Sequence, residues 1–152
     1  MVIAVGKKAP DFTLVSHEGE EITLTEVLKN GPVALVFFPL AFSGICTGEL
    51  CELRDNLQVF DDNRVQLFAV SVDSKFALKA WADQEEYKFN LLSDFWPHGE
   101  VSKAYDAFVE EAGIATRATV LIGKDGVVVE SFETSPGEAR NFAEYKAALE
   151  KL

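Results

Sequence analysis

The chain has 152 residues, 48% apolar and 26% charged, with 25 acidic residues against 14 basic ones and a formal charge of −11. This length and apolar share point to one folded domain, residues 1–152, and exclude intrinsic disorder, because a chain of this size buries roughly 70% of the surface its unfolded form exposes. The acidity, with no basic run longer than Lys7-Lys8, excludes a phosphate-binding stripe for nucleic acid and disfavours an anionic membrane surface as partner.

In chain order, Ala9 to Leu14 reads as a short extended segment with Phe12 and Leu14 on one side. A polar turn at His17-Glu18-Gly19-Glu20 follows, with His17 expected in solvent, and Glu21 to Leu24 returns as the second strand of an N-terminal hairpin. Thr25 is placed to cap a short helix through Lys29, which Asn30-Gly31-Pro32 ends. Val33 to Phe38 is an unbroken apolar run rich in β-branched and aromatic residues, the pattern of a central strand buried on both faces. Beyond Pro39 the period becomes helical, with Glu49, Leu50, Leu53, Leu57 and Phe60 three or four apart up to Asp61-Asp62-Asn63.

Val65 to Val72 is a second long apolar strand. Asp73 or Ser74 caps a helix that carries Phe76, Leu78 and Trp81 toward Glu86, with Trp81 expected to pack. Phe89 to Leu92 is a short strand, Ser93 to Gly99 a loop, and Glu100 to Ala104 a short helix. Within the loop, Trp96-Pro97-His98 reads equally as an interface patch or a packed aromatic turn. Thr119 to Ile122 is a third apolar strand, turning at Lys124-Asp125-Gly126 into Val127 to Phe132. A last helix, about 136–152, sets Phe142, Tyr145 and Leu149 on one stripe. Strands joined by a helix pair in parallel, whereas the final hairpin is antiparallel. The expected fold class is therefore α/β, a mixed central sheet with helices on both faces and an N-terminal β-hairpin.

Two cysteines are too few for a secreted disulfide framework, and with His17 and His98 they make poor material for a zinc site. Neither a signal peptide nor a membrane-length apolar run is expected, so the cytosol is the expected location. There, a cysteine pair is more often catalytic or sensing than structural. Cys46 follows the first buried strand, past Pro39 and Gly44, in the first turn of the next helix. Open α/β sheets place their sites at such strand ends, and unpaired N–H groups at a helix start favour an anion. A thiol reacts as its thiolate. Ser43 lies three residues earlier, and Arg117, in an otherwise apolar stretch, is the candidate guanidinium. The alternative for Cys46 is a small buried apolar residue.

Cys46 and Cys51 are five residues apart. On an intact helix they point about 140° apart, with Cα atoms about 8.6 Å from each other. A disulfide needs about 4.4–6.8 Å. Cys51 is thus either an idle core residue or a partner that Cys46 meets only when the helix start unwinds, which Gly48 makes easier by about 1 kcal/mol relative to alanine.

Pro39-x-x-x-Ser43-x-x-Cys46 resembles the P-x-x-x-(T/S)-x-x-C signature of the peroxiredoxins. The resemblance extends through Ala9 to Leu14, Phe37-Phe38-Pro39, Leu92-Ser93-Asp94 and Arg117. Phe38 to Cys46 and Leu91 to Gly99 are most similar to the AhpE-type branch. The resemblance implies a thioredoxin-like fold and a thiol peroxidase that reduces hydroperoxides through a cysteine sulfenic acid, without cofactor or metal. Cys46 would be the peroxidatic nucleophile and Pro39 would shield the pocket. Ser43 and Arg117 would hydrogen-bond the thiolate and the peroxide oxygens, and Glu49 would position the arginine. Leu40, Phe42 and Ile45 hint at organic hydroperoxides or are plain packing. AhpE-type members commonly work with one cysteine. The spacing to Cys51 resembles instead the PrxQ branch, whose second cysteine resolves the sulfenic acid as an intramolecular disulfide. A homodimer is expected by resemblance. The reductant is left open among thioredoxin, a glutaredoxin-like protein and a low-molecular-weight thiol. A peroxide-sensing switch that acts on a partner protein is the alternative function, since the same activated thiol serves both.

Overall fold

The computed structural model describes residues 1–152. Seven strands form one mixed sheet in the order β2-β1-β5-β4-β3-β8-β9. Its centre is β3 (Val33–Phe37), β4 (Gln66–Ser71) and β5 (Asn90–Ser93), paired in parallel. On one side, β8 (Arg117–Ile122) runs antiparallel to β3 and is followed by β9 (Val128–Thr134). On the other, the hairpin of β1 (Thr13–Ser16) and β2 (Glu21–Thr23) joins through β1 against β5.

Helices cover both faces, and the alternation of β3 shows why. Val33, Leu35 and Phe37 enter one apolar cluster, Ala34, Val36 and Phe38 the other. Every residue of the strand is buried, so it has no polar face to alternate with. The first cluster is closed by Leu24 of α1 (Leu24–Val27), Val101 of α5 (Glu100–Ala104) and Tyr105. The second packs α2 (Gly44–Asp55), α3 (Gln58–Asp62), α4 (Lys75–Glu85) and α6 (Phe142–Leu149) through Leu50, Leu53, Phe60, Leu78, Trp81, Tyr145 and Leu149. Trp81 is fully buried between Phe38, Phe42 and Tyr87, with ring centroids 5.3, 6.0 and 5.2 Å away. The unit β3-α2-β4 followed by β8-β9-α6 is the thioredoxin-like arrangement that the resemblance implies. No helix is long and apolar enough to cross a membrane.

Several local expectations need correction. The helical pattern running from Glu49 to Asp62 is two helices. Asn56 leaves helical geometry (φ −121°, ψ 22°) and its side-chain amide donates to the Glu52 carbonyl at 2.9 Å, which ends α2. The first short helix starts after Thr23, and Thr25, inside it, instead ties the helix to Asp11 through its backbone N–H (3.1 Å) and hydroxyl (3.3 Å). The terminal helix begins only at Phe142, capped by Asn141, because residues 135–140 are drawn toward the sheet end. A two-stranded ribbon, β6 (Phe108–Val109) with β7 (Ile114–Ala115), has too little apolar pattern to be read in sequence. His17 is buried rather than solvated. Its Nδ1 accepts the Leu91 N–H at 3.1 Å and its Nε2 lies 3.3 Å from Glu18, so the imidazole closes the seam between the hairpin and β5.

Candidate active site

Pro39 ends the buried strand because it has no N–H for the ladder. The chain then makes a sharp loop. Phe42 takes φ 68°, a left-handed conformation uncommon for a bulky residue. The loop is pinned from just past β4, where Asp73 Oδ2 accepts the Ala41 N–H at 2.8 Å and the Ser71 hydroxyl at 2.6 Å. Ser43 is then the N-cap of α2, its carbonyl accepting the Thr47 N–H at 2.8 Å. This brings Cys46 into the first turn, facing the sheet, with no exposed surface.

Arg117, the first residue of β8, reaches across the end of β3. Its Nη1 lies 3.1 Å from Cys46 Sγ and 2.7 Å from Glu49 Oε1, and its Nε donates to the Pro136 carbonyl at 2.8 Å. Glu49 sits one helical turn beyond Cys46, on the same face. It is gripped from the other side by Arg140, through the backbone N–H (2.7 Å) and Nε (3.0 Å) to Oε2 and Nη2 (3.0 Å) to Oε1. Arg140 also donates to the Ala118 carbonyl at 2.9 Å and the Thr119 hydroxyl at 3.1 Å. Burial alone would raise the Glu49 pKa, but the hydrogen bonds and charge of Arg140, aided by Arg117, hold the carboxyl below its ordinary range.

The buried set thus holds two guanidiniums and one carboxylate. An uncompensated positive charge in such a place is costly, so these surroundings favour an anion beside Arg117. A guanidinium N–H aimed at sulfur is also a poor neighbour for an inert, purely packing thiol. The chemistry this permits is nucleophilic attack by sulfur, with donors waiting for the oxygens of the group attacked.

The structure therefore brings Cys46, Glu49 and Arg117 together, and Pro39 is buried where the strand ends. It does not bond Ser43 to Cys46: the Ser43 hydroxyl is buried and has no partner. Leu40, Phe42 and Ile45 are all exposed around the loop. Only Ile45 lines the adjacent groove of about 300 Å³, with Gly48, Glu49, Glu52, Ala139, Arg140, Phe142 and Tyr145, while the Phe42 ring turns toward Trp81. Cys51 is half-buried on another side of α2, its Sγ 3.4 Å from Glu85 Oε1 and 3.6 Å from the Tyr87 hydroxyl. Two contributors were not read from sequence. Arg140 meets a carboxylate 91 positions away, and Asp73 looked like a helix cap; neither carries a local pattern.

Comparison with known proteins gives the family. The AhpC/TSA family model matches residues 5–131. Alkyl hydroperoxide reductase E of Mycobacterium tuberculosis is 44% identical over 151 residues, covering 99% of each chain. A chloroplastic 2-cysteine peroxiredoxin of Chattonella marina is 32% identical, covering 100% of this chain and 82% of its own. Among solved structures, peroxidoxin BcpB of Mycobacterium tuberculosis superposes with a TM-score of 0.85 at 27% identity, over 98% of this chain and 96% of its own. The reduced 2-Cys peroxiredoxin of Plasmodium vivax gives 0.87 at 29%, over 96% and 80%. With a buried cysteine at a helix start, an arginine on its sulfur and these relatives along its whole length, the chain belongs to the AhpC/TSA family of peroxiredoxins.

Proposed function

We propose that this chain is a thiol peroxidase for hydrogen peroxide and organic hydroperoxides, with Cys46 as the peroxidatic nucleophile. The observation that carries this is the Arg117 Nη1 contact at 3.1 Å on a buried Cys46 Sγ. The thiolate attacks one peroxide oxygen. A sulfur–oxygen bond forms, the oxygen–oxygen bond breaks, and the second oxygen leaves as water or alcohol after taking a proton. Arg117 stays within reach of both sulfur and the charge that develops on the departing oxygen. The unpartnered Ser43 hydroxyl is a free donor at the same loop, and Pro39 walls the sulfur from bulk water. Ile45 and the groove it lines offer an apolar flank for an organic hydroperoxide, in line with the relatives named for alkyl hydroperoxides.

Cys51 then resolves the sulfenic acid: a sulfur–sulfur bond forms, the Cys46 S–OH bond breaks, and water leaves. An external dithiol, or two monothiols in turn, in a reducing cytosol then exchanges with this disulfide, leaving as its own disulfide and restoring both thiols. Intact mass after one equivalent of peroxide tests the cycle. Loss of two hydrogens in the wild type and gain of one oxygen in Cys51→Ser is expected. Cys46→Ser that still consumes peroxide would overturn the assignment, and a wild type that stably gains one oxygen would remove Cys51 from the cycle. A protein that oxidises once and does not turn over with any thiol would be a sensor instead. The functional unit is a homodimer, for which Phe76, Phe95 and Trp96, exposed along one groove of about 490 Å³, provide an apolar face.

A further inference from the structure

Cys51 is not idle in the reduced protein. It lies on α2 facing the C-terminal end of α4, where its thiol donates to Glu85 Oε1 at 3.4 Å and pairs with the Tyr87 hydroxyl at 3.6 Å. Arg54, one turn along α2, ties the same corner, donating to the Glu85 carbonyl at 2.7 Å and lying 3.8 Å from its carboxylate. The second carboxylate oxygen accepts from Gln84 at 3.1 Å. Glu85, Tyr87 and Arg54 are the titratable or charged groups that face this sulfur. The C-terminal half of α2 is thereby fastened to α4, whereas its N-terminal half contains Gly44 and Gly48, and a Cβ at either would meet no neighbouring atom.

We propose that Glu85 and Tyr87 form a latch that holds Cys51 as a protonated, docked thiol, so that Glu85 sets how long the Cys46 sulfenic acid persists before the disulfide closes. The proposal rests on the reading of Cys51 as the resolving cysteine. A carboxylate that accepts a thiol's hydrogen bond stabilises the thiol and opposes the thiolate, and only the thiolate attacks. Burial pushes the Cys51 thiol up, the Tyr87 hydroxyl pulls it back, and Glu85 raises it again, leaving it above the ordinary range. Glu85 itself is held ionised by Gln84 and by the Cys51 thiol. The fastening also decides which sulfur travels. The glycine-bearing turn carrying Cys46 unwinds toward a stationary Cys51, whose thiol first gives its proton to water; the thiolate then forms the S–S bond, and the hydroxyl leaving Cys46 takes up a proton and departs as water.

Rapid-quench alkylation with intact-mass readout, after one equivalent of peroxide and across pH, separates sulfenic acid formation from disulfide closure. Glu85→Gln keeps the shape and removes the charge. Its closure step is expected to shift its pH midpoint down and to run severalfold faster at neutral pH, the gain in thiolate outweighing the weaker nucleophilicity of a less basic sulfur. Tyr87→Phe removes a donor to the thiolate and is expected to move the midpoint the other way. A fold defect common to both variants cannot produce opposite shifts. Closure in Glu85→Gln that is slower than wild type, or has an unmoved midpoint, would overturn the latch. Absence of any disulfide in the wild type would instead remove the reading of Cys51 on which it stands.

Discussion

Arg117 and Glu49 act as one unit at the sulfur. Arg117 has a single Nη1 shared between Cys46 and Glu49, and its Nε is committed to Pro136. A lysine has the charge but not the planar fork, so it cannot serve sulfur, carboxylate and carbonyl together. Arg117→Lys is therefore expected to slow oxidation of Cys46 by about 10²–10³, the usual loss when a preorganised donor is removed from a developing oxyanion. Stopped-flow measurement of the second-order rate with peroxide checks this, and a loss under about threefold would show that the helix start alone activates the thiol. Glu49→Gln leaves Arg117 and Arg140 buried without their shared anion, and breaking such a pair costs about 3–5 kcal/mol. The pH sign follows from its lowered folded-state value. The carboxylate's contribution is fully present above the unfolded pKa of about 4.3 and is lost as pH falls through the lower folded one. Denaturant titrations should thus show wild type and Glu49→Gln far apart at pH 7 and converging in strong acid. A gap that widens on acidification would contradict this assignment.

At the scale of elements, the proposed cycle gives α2 two jobs that conflict: to hold Cys46 against Arg117 and to let it go. Gly48 lies between the cysteines, its position open to a Cβ. Alanine there stabilises the helix by about 1 kcal/mol, so Gly48→Ala is expected to slow disulfide closure about fivefold, the factor this energy gives if unwinding precedes closure. Hydrogen exchange over residues 44–55 should slow in parallel. Unchanged closure with slower exchange would mean that the helix opens without limiting the reaction. The same helix shows what a sequence reveals. The buried strands β3, β4 and β8 were legible because each carries an apolar run, Val33 to Phe37, Leu67 to Val70 and Val120 to Ile122, and the site was legible because Pro39, Ser43 and Cys46 fall at fixed offsets where strand becomes helix. The break at Asn56 was not, since a side chain competing for the Glu52 carbonyl leaves the apolar spacing intact. Arg140 was hidden for a similar reason. Its role depends on a linker that gives up helix to reach Glu49, and no periodicity records that. His17 looked solvated because its neighbours in sequence are polar, yet its ring is covered by β5.

At the scale of the molecule, the −11 charge and the apolar face oppose each other. Trp96 is 81% exposed and Phe76 75%, with Phe95 in the same groove. The neighbouring loop is otherwise well fixed: Asp94 accepts the Val101 and Ser102 N–H groups, and His98 Nε2 sits 2.6 Å from the Gly113 carbonyl. The Trp96-Pro97-His98 segment thus combines an exposed but hydrogen-bonded histidine with a bare tryptophan. Rigid exposed aromatics contribute strongly to interfaces. Bringing two such copies together also brings two acidic fields together, and that repulsion is screened only as ions are added, the Debye length falling from about 30 Å at 0.01 M to about 10 Å at 0.1 M. The proposed dimer is therefore expected to tighten as NaCl rises from about 20 to about 200 mM, the reverse of an interface held by ion pairs. Sedimentation velocity across protein concentration at both salts measures this, and Trp96→Ser with Phe76→Ser should leave a monomer at either. Dimerisation that weakens with salt, or survives both substitutions, would place the interface elsewhere on the molecule.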